Sequence, residues 1–227
     1  MKTETILTRV YAIMELCKED NPVINHELSN LANDLAAQVR MEYATSRGQG
    51  NATKAIVSMM DAVKKRDLSM LDAVNKRNPR RTLHYAWMDA NGYQCVCDGY
   101  RAFRLTEALP LEERPDDAGD PITLDKAFPN LNDYATMPLP SAQEVKAYIA
   151  LERAEYGRRY SKEAPKVWDF GEYKPAVNSH YLLDLLTVLP DTTEIYYQPT
   201  NMCAPLYAKG ERGEALLCPV MKNRKSA

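Results

Sequence analysis

The chain has 227 residues, of which 45% are hydrophobic and 26% are charged, and its formal net charge is −2. This composition is typical of a folded globular protein and excludes a disordered chain. The near-neutral total gives the whole molecule no strong electrostatic preference for nucleic acid. The charge is uneven, however: residues 51–105 carry 10 basic and 5 acidic side chains, whereas residues 106–165 carry 7 and 12.

The amino end lacks the pattern of a signal peptide, because Ile6 and Leu7 are followed at once by Thr8 and Arg9. The uninterrupted apolar runs are a few residues long, whereas a bilayer-spanning helix needs roughly 20. An odd number of cysteines without framework spacing suits a reducing compartment. We therefore expect a soluble, cytoplasmic protein without a membrane partner; its cysteines are Cys17, Cys95, Cys97, Cys203 and Cys218.

The first 47 residues have the pattern of a helical hairpin. Apolar side chains recur every three or four positions over residues 4–19 and again over residues 25–45. Asn21-Pro22 separates the two helices, and the stretch from Gly48 to Asn51 ends the second. We predict an N-terminal hairpin over 1–47, followed by an α+β domain over 53–221.

The second region begins with helices and then changes to strands. Thr53 can cap a helix whose buried face carries Ile56, Met59, Met60 and Val63, and a further helix fits residues 67–76. Strand-like runs over 83–88 and 93–97 flank an Asn-Gly pair, which is a strong hairpin signal. A second tight turn at 98–99 leads into a strand over 100–105.

Residues 106–140 hold six prolines and many acidic side chains, so we predict a long surface excursion within an irregular insertion at about 106–165. Ser141 then caps a helix, with Glu144 in the capping-box position, and this helix ends near Gly157.

The carboxyl quarter returns to mixed structure. A strand is predicted around Trp168 and Phe170 and can be extended by residues 173–177. A helix capped by Asn178 or Ser179 follows, and then strands over 193–198, 204–209 and 215–221. This order predicts an α+β fold with helices on one face of an antiparallel sheet.

The sequence contains no phosphate-binding loop, dinucleotide-binding glycine pattern or hydrolase motif. We therefore predict no enzyme, no cofactor and no metal. Two alternatives stay open at this stage: Cys95 and Cys97 could bind a metal together with His84, and Asp98 with His84 and one of these cysteines could form a catalytic centre. Buried, small apolar cysteines and structural histidines are the preferred interpretation.

A row of basic side chains lies on or just after the predicted helices that precede the first hairpin. Such a row can neutralise DNA phosphates without reading bases, and the alternative is a solubilising outer helix face. The candidate DNA-binding residues are Lys64, Lys65, Arg66, Lys76, Arg77, Arg80 and Arg81.

Three stretches, in this order along the chain, are similar to bacterial DNA sliding clamps, the ring proteins that tether polymerases to DNA. Residues 97–102, Cys-Asp-Gly-Tyr-Arg-Ala, resemble the clamp stretch T-D-G-H-R-L. Residues 128–134, Phe-Pro-Asn-Leu-Asn-Asp-Tyr, resemble the interdomain junction F-P-N-L-D-D-W. Residues 178–186 and the strands that end at residues 216–221 resemble the last half-domain of a clamp, with its N-x-x-Y-L-x-x-x-L helix. With the helix and hairpin of 53–105, the likeness covers about half the chain.

The resemblance implies a single clamp-type domain with extra helices, associated with DNA replication and contacting phosphates without sequence preference. A clamp ring contains six domains, so one-domain subunits imply a homo-oligomer around duplex DNA. The resemblance also implies a groove for replication or repair proteins. In clamps its two walls come from neighbouring domains, so we expect them to meet here across a protein–protein contact; the residues concerned are Gly99, Tyr100, Arg101, Leu216, Cys218 and Val220.

The alternative is a protein-interaction module that keeps the clamp-like fold and does not bind DNA. Acidic residues in the stretch 106–125 favour this alternative, because they would repel DNA wherever they approached it.

Overall fold

The computed structural model describes residues 49–67, 81–112, 114–115 and 118–221. The chain divides into two compact units, Met1–Gly50 and Asn51–Ala227, and the described residues belong almost wholly to the second. The predicted hairpin over 1–47 lies outside the described residues, as does the predicted helix over 67–76 from residue 68 onward. Both stay predictions.

Four α-helices are described. Helix α1 spans residues 49–67, and the apolar residues predicted for its inner face are buried. The others are α2 (Ala142–Tyr156), α3 (Tyr160–Glu163) and α4 (Ser179–Val188). Short 3-10 helices occupy Arg81–His84, Leu131–Asp133 and Gly157–Arg159. None of the helices in this part of the chain is long and apolar enough to cross a bilayer.

The helix starts follow from side-chain caps. The Ser141 hydroxyl accepts a hydrogen bond from the Glu144 backbone N–H, and the Glu144 carboxylate accepts one from the Ser141 backbone N–H, so the predicted capping box is confirmed. The Asn178 side chain accepts bonds from the first turn of α4, as predicted. The predicted start of α1 at Thr53 is wrong, because residues 49–52 are already helical.

Seven strands form one antiparallel sheet in the order β1-β2-β3-β9-β8-β7-β4. Their bounds are β1 (Trp87–Met88), β2 (Gln94–Cys97), β3 (Arg101–Leu105), β4 (Ala135–Pro138), β7 (Glu194–Tyr197), β8 (Leu206–Gly210) and β9 (Gly213–Leu217). A smaller antiparallel sheet has the order β10-β6-β5, with β5 (Val167–Asp169), β6 (Ala176–Asn178) and β10 (Pro219–Val220). The chain is therefore an α+β protein with antiparallel sheets, and this part of the fold prediction is confirmed.

The large sheet contains the same unit twice. Helix α1 is followed by the three sequential strands β1, β2 and β3, and helix α4 is followed by β7, β8 and β9. The last strands of the two units pair antiparallel, with Phe103 opposite Ala215, so the two units join into one continuous sheet. Gly213 allows this close pairing, because a Cβ atom there would lie 2.1 Å from the Arg104 carbonyl oxygen.

The two faces of this sheet differ in what covers them. On the inner face, Phe103 and Leu217 pack against apolar residues of the helices, including Ile56 of α1 and Leu185 of α4. On the outer face, a second apolar cluster contains Trp87, Ala102, Tyr207 and Leu216. Leu124 and Phe128 pack on it; they belong to the segment of residues 106–134 that connects β3 to β4. The helices therefore lie on one face, as predicted, and irregular chain covers the other.

Residues 106–140 contain more regular and more buried structure than the predicted surface excursion. Strand β4 lies within them and pairs with β7, and Leu109, Leu124 and Met137 are buried. The predicted strand over 83–88 is also largely wrong, since residues 81–84 form a 3-10 helix and the strand is confined to Trp87–Met88. In both places the outcome depends on long-range packing that local residue patterns do not encode.

Candidate functional site

The basic residues at the end of α1 are largely engaged within the protein. The Lys64 ammonium lies 3.1 Å from the Glu112 carboxylate and 5.2 Å from the centre of the Tyr85 ring. The Arg66 guanidinium donates to the Asp98 carbonyl at 2.9 Å and lies over the Tyr100 ring. Lys65 is exposed. Two of the three cations that α1 was predicted to offer to DNA therefore already have partners.

The remaining candidate cations cannot be placed as a row. Lys76, Arg77 and Arg80 lie outside the described residues. Arg81 begins a 3-10 helix, and its side chain is not described. A DNA-binding role for these four residues stays a prediction.

The turn between β2 and β3 is built by Asp98. One oxygen of its carboxylate accepts hydrogen bonds from the backbone N–H groups of Tyr100 and Arg101, and the other accepts from the Arg101 side chain. Gly99 has a φ of 87°, a backbone conformation that residues with a Cβ rarely adopt. This turn therefore fixes Tyr100 at the end of the sheet, where 48% of its surface is exposed.

Arg101 is a buried cation that joins the turn to α4. Its guanidinium pairs with the carboxylates of Asp98 and Asp184 and lies 4.3 Å from the centre of the Tyr181 ring. Burial raises the pKa of Asp184, and the neighbouring Arg101 opposes that rise. Arg101 was predicted to line a partner groove; it is only 6% exposed, so it supports the turn from below and is not a contact residue itself.

Two of the predicted groove segments meet within one chain. The Cys218 backbone N–H donates to the Tyr100 carbonyl at 2.7 Å, so residues 99–101 and the residues after β9 are neighbours. The expectation that they meet only across a protein–protein contact is therefore wrong. The reason is the pairing of β3 with β9, which no local sequence pattern reveals.

The other predicted groove residues separate onto different surfaces. Leu216 is 5% exposed and belongs to the outer-face cluster of the large sheet. Val220 lies in β10 of the small sheet and borders a cavity of about 350 Å³. Exposed apolar side chains surround that cavity, including Tyr173, Met202 and Met221. Among the predicted groove residues, Tyr100 and Cys218 are therefore joined by a backbone hydrogen bond, and Val220 lies at a separate recess.

The cysteine and histidine alternatives find little geometric support. Cys95 and Cys97 both belong to the outer-face side of β2, and burial raises the pKa of Cys95 to about 11 and that of Cys97 in the same direction. His84 instead contacts Asp67 at 2.8 Å. Over the residues that the structure describes, no three His, Cys, Asp or Glu side chains are grouped as a metal site.

A polar cluster between α2, α3 and α4 was not anticipated from the sequence. His180 Nε2 lies 2.6 Å from the Tyr160 hydroxyl, and burial lowers the pKa of His180, helped by the nearby cations Arg153 and Lys166. Glu152 is buried, and its carboxylate accepts a hydrogen bond from the Lys166 backbone N–H. The contacting residues lie 20 and 14 positions apart in the sequence, so local patterns do not connect them.

Comparison of the chain with protein-family models, with curated proteins and with solved structures finds no match in any of the three.

Proposed function

We propose that this protein is a non-enzymatic, clamp-like DNA-associated protein that contacts phosphates without sequence preference. The observation that carries the proposal is the repeated unit of one helix and three sequential strands, joined through β3 and β9 with the helices on one face. A fold built from such units is what the resemblance to sliding clamps implies. The clamp-like assignment and the DNA association are proposed together.

One such domain cannot encircle a duplex by itself, so the proposal includes assembly into a closed homo-oligomer. The decisive measurement is the solution mass of the purified full chain by light scattering, with and without duplex DNA, at low and moderate salt. We expect an oligomer that binds DNA at low salt and releases it as salt rises, because phosphate neutralisation is strongly salt-dependent. A monomer at all concentrations would exclude the encircling arrangement.

A second candidate function, a protein-interaction module on the same fold, is favoured by the contact between Tyr100 and Cys218. That contact brings together two segments that the clamp resemblance assigns to partner binding, and it leaves Tyr100 exposed. Replication or repair proteins are the partners that the resemblance implies.

The two candidates predict different responses to salt and to substitution. For the interaction module, we expect no DNA binding even at low salt and a loss of partner binding on Tyr100→Ala. Exposed Ile122 provides the control, because Ile122→Ala removes an exposed apolar side chain at a surface without a candidate partner-binding residue. Partner affinity that is unchanged by Tyr100→Ala would contradict a binding role for this contact.

A further inference from the structure

Exposed positive charge on the helix side of the protein is denser on α2 and just after it than on α1. Over residues 146–163, five cations and two acidic residues are exposed. The cations are Lys146, Arg153, Arg158, Arg159 and Lys162. Along the described part of α1 from residue 51 onward, two cations, Lys54 and Lys65, are exposed together with Asp61.

The chain fold gathers this charge into one area. Helix α2 ends at Gly157, and α3 then brings Tyr160 back beside the end of α2. The Arg153 guanidinium and the Lys166 ammonium both lie over the Tyr160 ring, at 5.4 and 5.3 Å from its centre. Burial is the main cause that lowers the pKa of the adjacent His180; Arg153 and Lys166 act in the same direction, and Asp184 and Glu152 oppose them. The chain fold therefore groups two cations on one ring at this surface.

Few of these cations are neutralised internally. Arg159 pairs with Glu163 at 2.9 Å, an exposed pair of the kind that contributes little to stability. Within the described part of the chain, neither Arg158 nor Lys162 takes part in a salt bridge. Lys64 of the predicted DNA-binding set forms a similar exposed pair with Glu112 and also lies over the Tyr85 ring.

The end of the acidic stretch 106–125 lies on the other face of the large sheet. Leu124 and Phe128 pack on the outer face of the large sheet, and Asp125 between them pairs with Arg104 of β3. Helices α2 and α4 pack against each other on the inner side. The end of the acidic stretch near Asp125 thus lies on the face of the sheet opposite α2, whereas Glu112 of the same stretch pairs with Lys64 of α1.

We infer that the exposed cations at the end of α2 and just after it, namely Arg153, Arg158, Arg159 and Lys162, form the phosphate-contacting surface for duplex DNA. The inference rests on the proposed function, and it moves the contact away from residues 64–66. Long, mobile Lys and Arg side chains match the phosphate backbone without reading bases. Lys146 lies about 10 Å further along α2, at two helical turns from Arg153, and extends the surface along the duplex.

The test compares two matched double variants of the full chain. Arg158→Gln with Lys162→Gln removes two cations from the inferred surface, and Lys54→Gln with Lys65→Gln removes two from α1. Affinity for two duplexes of unrelated sequence is measured across a salt series by fluorescence anisotropy. Each lost phosphate contact lowers the slope of log affinity against log salt by about 0.9. We therefore expect the first variant to flatten the slope by about 2 and to weaken binding at low salt on the order of tenfold.

The α1 variant is expected to keep the wild-type slope, and both duplexes are expected to bind equally. Unchanged unfolding midpoints for both variants show that the fold is intact. The inference is overturned if the α1 variant alone loses affinity, or if both variants lose it equally, and in either case the proposed DNA association stands. If the wild-type protein binds no duplex at low salt, the proposed function fails and the inference fails with it.

Discussion

Alternating side chains of the same strands pack against different layers on the two faces of the large sheet. On β3, Phe103 and Leu105 point into the helix layer, where apolar side chains fill the space between sheet and helices. Ala102 and Arg104 point to the outer face, where Arg104 meets the carboxylates of Asp89, Asp125 and Glu214. The inner face is therefore held by apolar packing with the helices, whereas the outer face combines an apolar cluster with a shielded cation that has three acidic partners.

The comparison shows how a strand with alternating side chains can support two different layers at once. The inner layer is continuous and depends on volume, so its residues cannot be changed without leaving a cavity. The outer layer combines the apolar cluster around Trp87 with one guanidinium, that of Arg104, which also lies over the Phe128 ring, 4.4 Å from its centre. We expect substitutions on the two faces to lower the free energy of unfolding by different amounts, and we expect the two losses to depend differently on salt.

The largest effect is expected from Phe103→Ala. Phe103 is fully buried in the inner layer, and its removal leaves a cavity that the sheet and helices cannot close. Such substitutions lower the free energy of unfolding by about 3–5 kcal/mol. Urea denaturation followed by circular dichroism measures the change. A loss below about 1 kcal/mol would mean that the inner layer is loosely packed.

A smaller effect is expected from Arg104→Met on the outer face. Methionine keeps most of the apolar volume but leaves three carboxylates without their cation. Because Asp125 is exposed and Glu214 is only partly buried, we expect the free energy of unfolding to fall by about 2 kcal/mol, less than for a fully buried pair. Unlike Phe103→Ala, this loss should shrink as salt rises, since salt screens the remaining repulsion. Equal losses at low and high salt would contradict an electrostatic role for Arg104.

A still smaller effect is expected from Asp125→Asn, which removes one partner of Arg104. The Asp125 side chain is 56% exposed, so its ion pair is worth about 0.2–1 kcal/mol. Asp120→Asn is the matched control, because Asp120 is exposed in the same segment. A loss for Asp125→Asn that exceeds the loss for Arg104→Met would show that the segment, and not the cation, holds the outer layer.

Local patterns predicted the elements of the inner layer better than the contacts between elements. The spacing of Ile56 and Val63 marks α1, and the Ser141 and Asn178 caps mark two helix starts within a residue. Arg101 pairs with Asp184, which lies 83 residues away in the sequence, and no local pattern predicts that the two meet. Strand β4 was missed for the same reason, since Met137 is buried only because β4 pairs with β7.

From the sequence alone, the residue types of the candidate site could be predicted, but not the contacts between them. The basic residues of α1 were visible in the sequence, but their engagement by Glu112 and by the Asp98 carbonyl depends on tertiary structure. The contact of Tyr100 with Cys218 required the pairing of β3 with β9. The grouping of Arg153 and Lys166 around the Tyr160 ring depends on tertiary contacts, which the sequence pattern does not reveal.

The smallest effect concerns pH and the helix layer near α4. Burial, with the nearby cations Arg153 and Lys166, lowers the pKa of His180 below its usual value of 6.5, while Asp184 and Glu152 oppose the shift. The folded protein therefore binds fewer protons than the unfolded chain between the lowered pKa and 6.5. The stability contribution is present above pH 6.5 and is lost as the pH falls through that window.

His180→Gln is expected to reduce this pH dependence, because glutamine can keep a hydrogen bond to Tyr160 and does not titrate. Unfolding free energies at pH 5.0 and 7.5 measure it, and the difference between the two pH values should be smaller in the variant than in the wild type. Tyr160→Phe is the control, since it removes the hydroxyl partner and leaves the imidazole among the same cations. If both variants keep the wild-type difference, the acid sensitivity of the helix layer arises from groups other than His180.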